Sequence, residues 1–151
     1  MKTAIVGYPR IGAHRELKFA SEQYFRGACT EAELQETAKT LRLANLTQQK
    51  DSGLDWIPSN DFSFYDGMLD TAFLLNAVPK RYRELGLAPL DTYFAAARGY
   101  QGDKGDVKAL AMKKWFNTNY HYIVPELEDD TEIKISGDKL WSEYAEAKSL
   151  G

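Results

Sequence analysis

Three short β-rich runs punctuate the chain, and each ends on a glycine or proline. They are Thr3–Gly7, residues 54–58 (Leu-Asp-Trp-Ile-Pro) and Tyr120–Val124, the last closed by Pro125. Helical-period segments lie between them. Leu17, Ala20/Ser21 and Tyr24 lead to Gly27, and Leu34, Ala38 and Leu41 follow Thr30 and Glu33, which have the spacing of a capping box. Ser63 with Asp66 opens another helical pattern through Tyr65, Met68/Leu69, Ala72 and Leu75, and Leu140, Tyr144, Ala145 and Lys148 carry a last one. Strands alternating with helices point to an α/β fold on a parallel sheet. Val107, Leu110/Ala111 and Trp115 predict one further short helix after the solvated loop at residues 102–106.

The 151 residues amount to one domain, with neither a repeat nor a linker. Nineteen Lys and Arg against 22 Asp and Glu give a net charge of −3, which argues against nucleic-acid binding through bulk charge. Apolar content of 44% is ordinary globular usage. The longest apolar stretch, near Ala72–Val78, falls far short of the ~18 residues of a spanning helix. A cytoplasmic protein is expected. Cys29 is alone, and the histidines are His14 and His121, so neither a disulfide nor a Cys-rich zinc site can be assembled from this composition.

Two stretches suggest ligand chemistry. Arg15 and Lys18 stand three residues apart at a helix start, where free N–H groups and the macrodipole already favour anions. Cations there are locally unfavourable, so an anionic ligand would explain them; a solvated charged face is the alternative reading. Residues 113–122 pack two lysines, two asparagines and four aromatics into ten positions, a density suited to a polar ligand with a flat ring or to simple core packing. Ser59, Asn60 and Asp61 follow a strand directly, where α/β folds place ligand groups, although they are equally good turn residues. Gly7 and Gly12 have P-loop spacing, but Ala13-His14 replaces the Lys-Ser/Thr pair. The residues by themselves support an anion-binding α/β piece and no particular reaction.

The run Ile5-Val6-Gly7-Tyr8-Pro9-Arg10-Ile11-Gly12 with Arg15-Glu16-Leu17-Lys18 resembles the beginning of the cobalamin-independent methionine synthases. The likeness continues through residues 57–66 (Ile-Pro-Ser-Asn-Asp-Phe-Ser-Phe-Tyr-Asp), 69–72, 93–99 and 114–126, nearly the whole chain in order. The resemblance implies a methyltransferase that moves a methyl group from 5-methyltetrahydropteroyltri-glutamate to homocysteine. It implies two (β/α)₈ barrels, of which this chain would supply about the first three βα units of the N-terminal barrel, since a whole barrel needs at least ~200 residues. It also implies folate and oligoglutamate contacts at Arg15, Glu16, Leu17, Lys18, Lys114 and Asn119, which agrees with the anion reading of Arg15 and Lys18. The family's zinc, which holds homocysteine as thiolate, has its ligands in a C-terminal barrel, so no catalytic or metal residue is expected here. Lys113 and the loop at residues 103–108 depart from the family pattern. A piece of this kind would be inactive alone and would self-associate through its unpaired strand edges. Competing expectations are a stand-alone anion or oligoglutamate-binding module and a fragment without function.

Overall fold

A computed structural model describes residues 1–151, which form two compact units. One comprises residues 1–64 and 138–151, the other residues 65–137.

In the first unit, helix α1 (Glu16–Phe25) packs on the long helix α2 (Glu31–Asp51). The capping box of α2 is complete. Thr30 Oγ1 accepts from the Glu33 N–H at 3.2 Å, and Glu33 Oε2 accepts from the Thr30 N–H at 2.7 Å. That backbone donor, with the Thr30 hydroxyl, holds the Glu33 carboxyl below its usual range. Leu17, Ala38, Leu41 and Phe62 form the core, with Phe64 packed against it. The last helix, α6 (Lys139–Lys148), lies on α2 through a two-pronged Arg42–Glu146 pair at 2.9 and 3.0 Å.

The first two β-rich runs meet in one parallel bridge, Ala4 with Trp56. Polar side chains take backbone groups that a longer ladder would use. Asp55 Oδ2 accepts from the Thr3 N–H at 2.8 Å, and Asp61 Oδ2 accepts from the Tyr8 N–H at 2.8 Å. The expected strands at residues 3–7 and 54–58 are therefore extended segments joined at one point.

The second unit contains α3 (Gly67–Leu74), α4 (Lys80–Arg83) and α5 (Pro89–Arg98), followed by two hairpins. Strands β1 (Tyr100–Gly102) and β2 (Gly105–Val107) pair antiparallel around Asp103-Lys104. Strands β3 (Met112–Lys114) and β4 (His121–Ile123) form the other hairpin. The fold is thus mixed helix and sheet, as expected, but its two sheets are small and antiparallel and no barrel closes.

The short helix expected near Val107–Trp115 is not formed. Gly105 at φ 121° turns the chain back, and pairing with Tyr100 and Ile123 overrides a weak helical period. Gly99, at φ 82°, cannot be replaced freely, because an added Cβ would stand 2.9 Å from the Val107 carbonyl. Residues 93–97 (Tyr-Phe-Ala-Ala-Ala) are the buried heart of α5.

Candidate functional site

The segment Arg15–Lys18 is held by the turn before it. The Arg15 N–H donates to the Gly12 carbonyl at 3.2 Å, and the Leu17 N–H donates to the Ile11 carbonyl at 3.1 Å. Arg15 is the cap residue of α1 and adopts a left-handed conformation, φ 63° and ψ 34°. Such a conformation costs a non-glycine residue energy and is found disproportionately at binding sites. Its side chain is exposed and has no counter-ion in the chain. Glu16 turns inward over the loop, where its Oε2 accepts from the His14 N–H at 3.0 Å. Hydrogen bonds from the Glu16 and His14 N–H groups hold that carboxyl below its usual range. Gly12 is required there, since at φ 86° a Cβ would collide with the Glu16 carboxylate. Lys18 is exposed and loosely paired with Glu22 at 3.8 Å.

The four consecutive positions therefore have different fates. Arg15 and Lys18 present cations to solvent, and Glu16 braces the loop. Leu17 is 1% exposed and belongs to the core, so only its backbone is available to a ligand.

Lys114 and Asn119 lie on the β3–β4 hairpin in the other unit, both exposed. The hairpin tip is built from local bonds. The Trp115 N–H donates to the Tyr120 carbonyl at 2.8 Å, the Thr118 hydroxyl donates to the Trp115 carbonyl at 2.6 Å, and the Asn119 carbonyl stands 2.9 Å from His121 Nδ1. Trp115 packs edge-on against Phe116 and Tyr122, with ring centres 5.1 and 5.6 Å apart. Phe116 is 83% exposed and left-handed at φ 50°, a conformation bulky residues rarely hold. Cations, amides and aromatic faces thus share one exposed tip. The arrangement can take a carboxylate at Lys114 and stack a ring.

A small cleft, open to solvent, lies within the first unit. Tyr8, Arg42, Asn60, Asp61, Glu143 and Glu146 are among its lining residues. Asn60 accepts from Lys139 Nζ at 2.8 Å, and Lys139 also pairs with Glu143 at 3.2 Å. Asn60 and Asp61 were visible in the sequence as polar groups after a strand, but their partners Lys139 and Tyr8 were not. Nothing in the local pattern brings residue 139 beside residue 60.

No group of three or more His, Cys, Asp or Glu side chains is placed to hold a metal. Cys29 Sγ donates to the Ala20 carbonyl at 3.6 Å. No helix is long and apolar enough to cross a membrane.

Residues 2–151 match the family model described as cobalamin-independent synthase, N-terminal domain. Over all 151 residues the chain is 59% identical to a 5-methyltetrahydropteroyltriglutamate–homocysteine methyltransferase of Campylobacter jejuni subsp. doylei. It is 58% and 57% identical over the same span to proteins of that name from Streptococcus suis and Streptococcus gordonii. In each case the whole chain aligns with 20% of the relative, so it spans about a fifth of the length of these curated relatives.

Proposed function

The chain belongs to the cobalamin-independent synthase family, by the N-terminal domain, and from that premise we propose that it binds the oligoglutamate tail of a folate. In this reading it is part of a cytoplasmic methyltransferase that transfers the methyl group of 5-methyltetrahydropteroyltri-glutamate to homocysteine. The observation that carries the reading is Arg15, an exposed guanidinium without a counter-ion, in a left-handed conformation at the start of a helix. Lys18 supplies a second cation one turn on. In the other unit, Lys114 and Asn119 offer a cation and an amide beside exposed aromatics. An oligoglutamate is a string of carboxylates, and the exposed cations of each unit suit such a ligand.

Homocysteine activation falls outside this chain's side chains. Zinc, in full-length relatives, would hold the sulfur as a thiolate, and the residues here supply no ligand set for it. The Ala4–Trp56 parallel bridge supports a further reading, in which the chain forms about the first three βα units of a (β/α)₈ barrel.

Titration with the tri- and monoglutamate forms of 5-methyltetrahydrofolate tests the proposal. Arg15→Ala and Lys18→Ala should each weaken the triglutamate more than the monoglutamate. A charge-assisted contact is worth about 1.5–3 kcal/mol when partly desolvated, and less when exposed. Added salt should shrink the difference. Equal losses for both ligands would show that these residues do not touch the tail.

The same reading carries an expectation about self-association. Val6 is fully exposed and Trp56 is 65% exposed, both beside the single parallel bridge. Apolar edges of this kind pair readily. Light scattering over a concentration series should find dimers or larger species, and a monomer at every concentration would contradict it.

A further inference from the structure

The β3–β4 hairpin carries Lys114 and Asn119 on an exposed tip, and short exposed hairpins are marginal by themselves. Its base, however, is fixed by a buried charge. Asp66 is 3% exposed and caps α3. Its Oδ1 accepts from the Met68 N–H at 2.8 Å and more distantly from the Leu69 N–H at 3.4 Å. Its second oxygen serves a different element, because Oδ2 accepts from the Ile123 N–H at 3.0 Å. Ile123 is 1% exposed and pairs with Met112, two ladder positions from the Lys114–His121 pair. Just beyond, the Val124 N–H donates to the Ala111 carbonyl at 2.8 Å. One carboxylate thus ties the start of α3 to the root of the hairpin.

We propose that Asp66 is a positioning residue, fixing through Ile123 where the hairpin holds Lys114 and Asn119 for an anionic ligand. The proposal rests on the reading of Lys114 and Asn119 as ligand groups. Burial matters, because a carboxylate out of water is stable only with several donors, and here they come from two elements. Loosening either element leaves the charge short of a donor, so the two are held together.

The carboxylate's two oxygens allow the roles to be separated. Asparagine caps helices as well as aspartate does, but it has one acceptor oxygen where aspartate has two. In Asp66→Asn the oxygen kept at α3 preserves the cap, and the amide NH₂ faces the Ile123 N–H, donor against donor. Asp66→Ser, also a good cap, lacks the second acceptor as well and serves as the second variant.

The decisive experiment is residue-resolved amide exchange on both variants, with triglutamate-folate titration of the same samples and of Lys114→Ala. The Ile123 and Trp115 amides should exchange about tenfold faster or more, the range of one charge-assisted bond. Amides within α3, such as Ala72, should keep their wild-type rates. Triglutamate affinity should fall in Asp66→Asn toward that of Lys114→Ala. Unchanged exchange at Ile123 and Trp115, or equal acceleration in α3 and the hairpin, would overturn the proposal. So would faster hairpin exchange with wild-type affinity while Lys114→Ala binds weakly. If Lys114→Ala binds as wild type, the reading of Lys114 as a ligand group is what fails, and the positioning role falls with it.

Discussion

Leu17→Ala is expected to lower the stability of the first unit by about 2–5 kcal/mol. Leu17 is 1% exposed and packs with Ala38, Leu41 and Phe62, where loss of Cγ and its two methyl groups would leave a void between α1 and α2. Total stability of a domain is about 5–15 kcal/mol, so the loss is a large fraction of it. Urea unfolding should show a lower midpoint with an unchanged slope. Leu17→Met, which conserves volume, should cost less than about 1.5 kcal/mol. Under conditions where both variants are folded, triglutamate binding should match wild type, because the side chain faces the core. Near-wild-type stability of Leu17→Ala, or lost binding in a folded Leu17→Met, would contradict this placement.

Leu17 also illustrates what a sequence motif conceals. The run Arg15-Glu16-Leu17-Lys18 reads as one unit, yet a helix turns successive side chains by about 100°, so neighbours face different surroundings. The period that made Leu17 the first apolar position of α1 was legible and correct. The inward fold of Glu16 was not legible, since it depends on the left-handed turn at Gly12 and Arg15.

Helices with strong local signals were readable. Thr30 and Glu33 announce α2 within a few residues, and both of their reciprocal bonds form. Strands were harder, because their partners are remote and decide whether they pair at all. Thr3–Gly7 has the composition of a buried strand, yet Val6 is fully exposed and only Ala4 is bridged. Val107–Trp115 has a weak helical period, but its backbone donors and acceptors are better satisfied across two hairpins. Asp66 reads in the sequence as a helix-start signal and as the end of the 57–66 run. Its second oxygen reaches Ile123, 57 residues away, which no local spacing encodes.

Tyr93→Phe is expected to destabilise the second unit by about 1–3 kcal/mol, and the size of the effect should depend on pH. The Tyr93 hydroxyl donates to Asp70 Oδ1 at 2.6 Å and accepts from the Tyr65 N–H at 3.1 Å. The ring lies edge-on to Phe73 and Phe94, with centres 5.3 and 5.5 Å apart, and phenylalanine preserves those contacts. What disappears is a buried donor to a carboxylate and an acceptor for a backbone N–H. Burial first, and then the Asp70 charge and its hydrogen bond, push the Tyr93 phenol well above its ordinary value of 10.0. A phenol whose acidity is suppressed by folding contributes stability that is fully present below pH 10. As pH rises past 10 the unfolded chain ionises at this position while the folded chain does not, so that contribution is progressively lost. The slope for one such group is about 1.4 kcal/mol per pH unit. Phenylalanine has no proton to lose, so the gap between wild type and Tyr93→Phe should be widest near pH 8 and close as pH rises above 10. Urea unfolding of both proteins at pH 8 and at pH 10.5–11 measures the two gaps. Gaps of equal size would mean that Tyr93 ionises as readily folded as unfolded, and that its bond to Asp70 does not hold the proton in place.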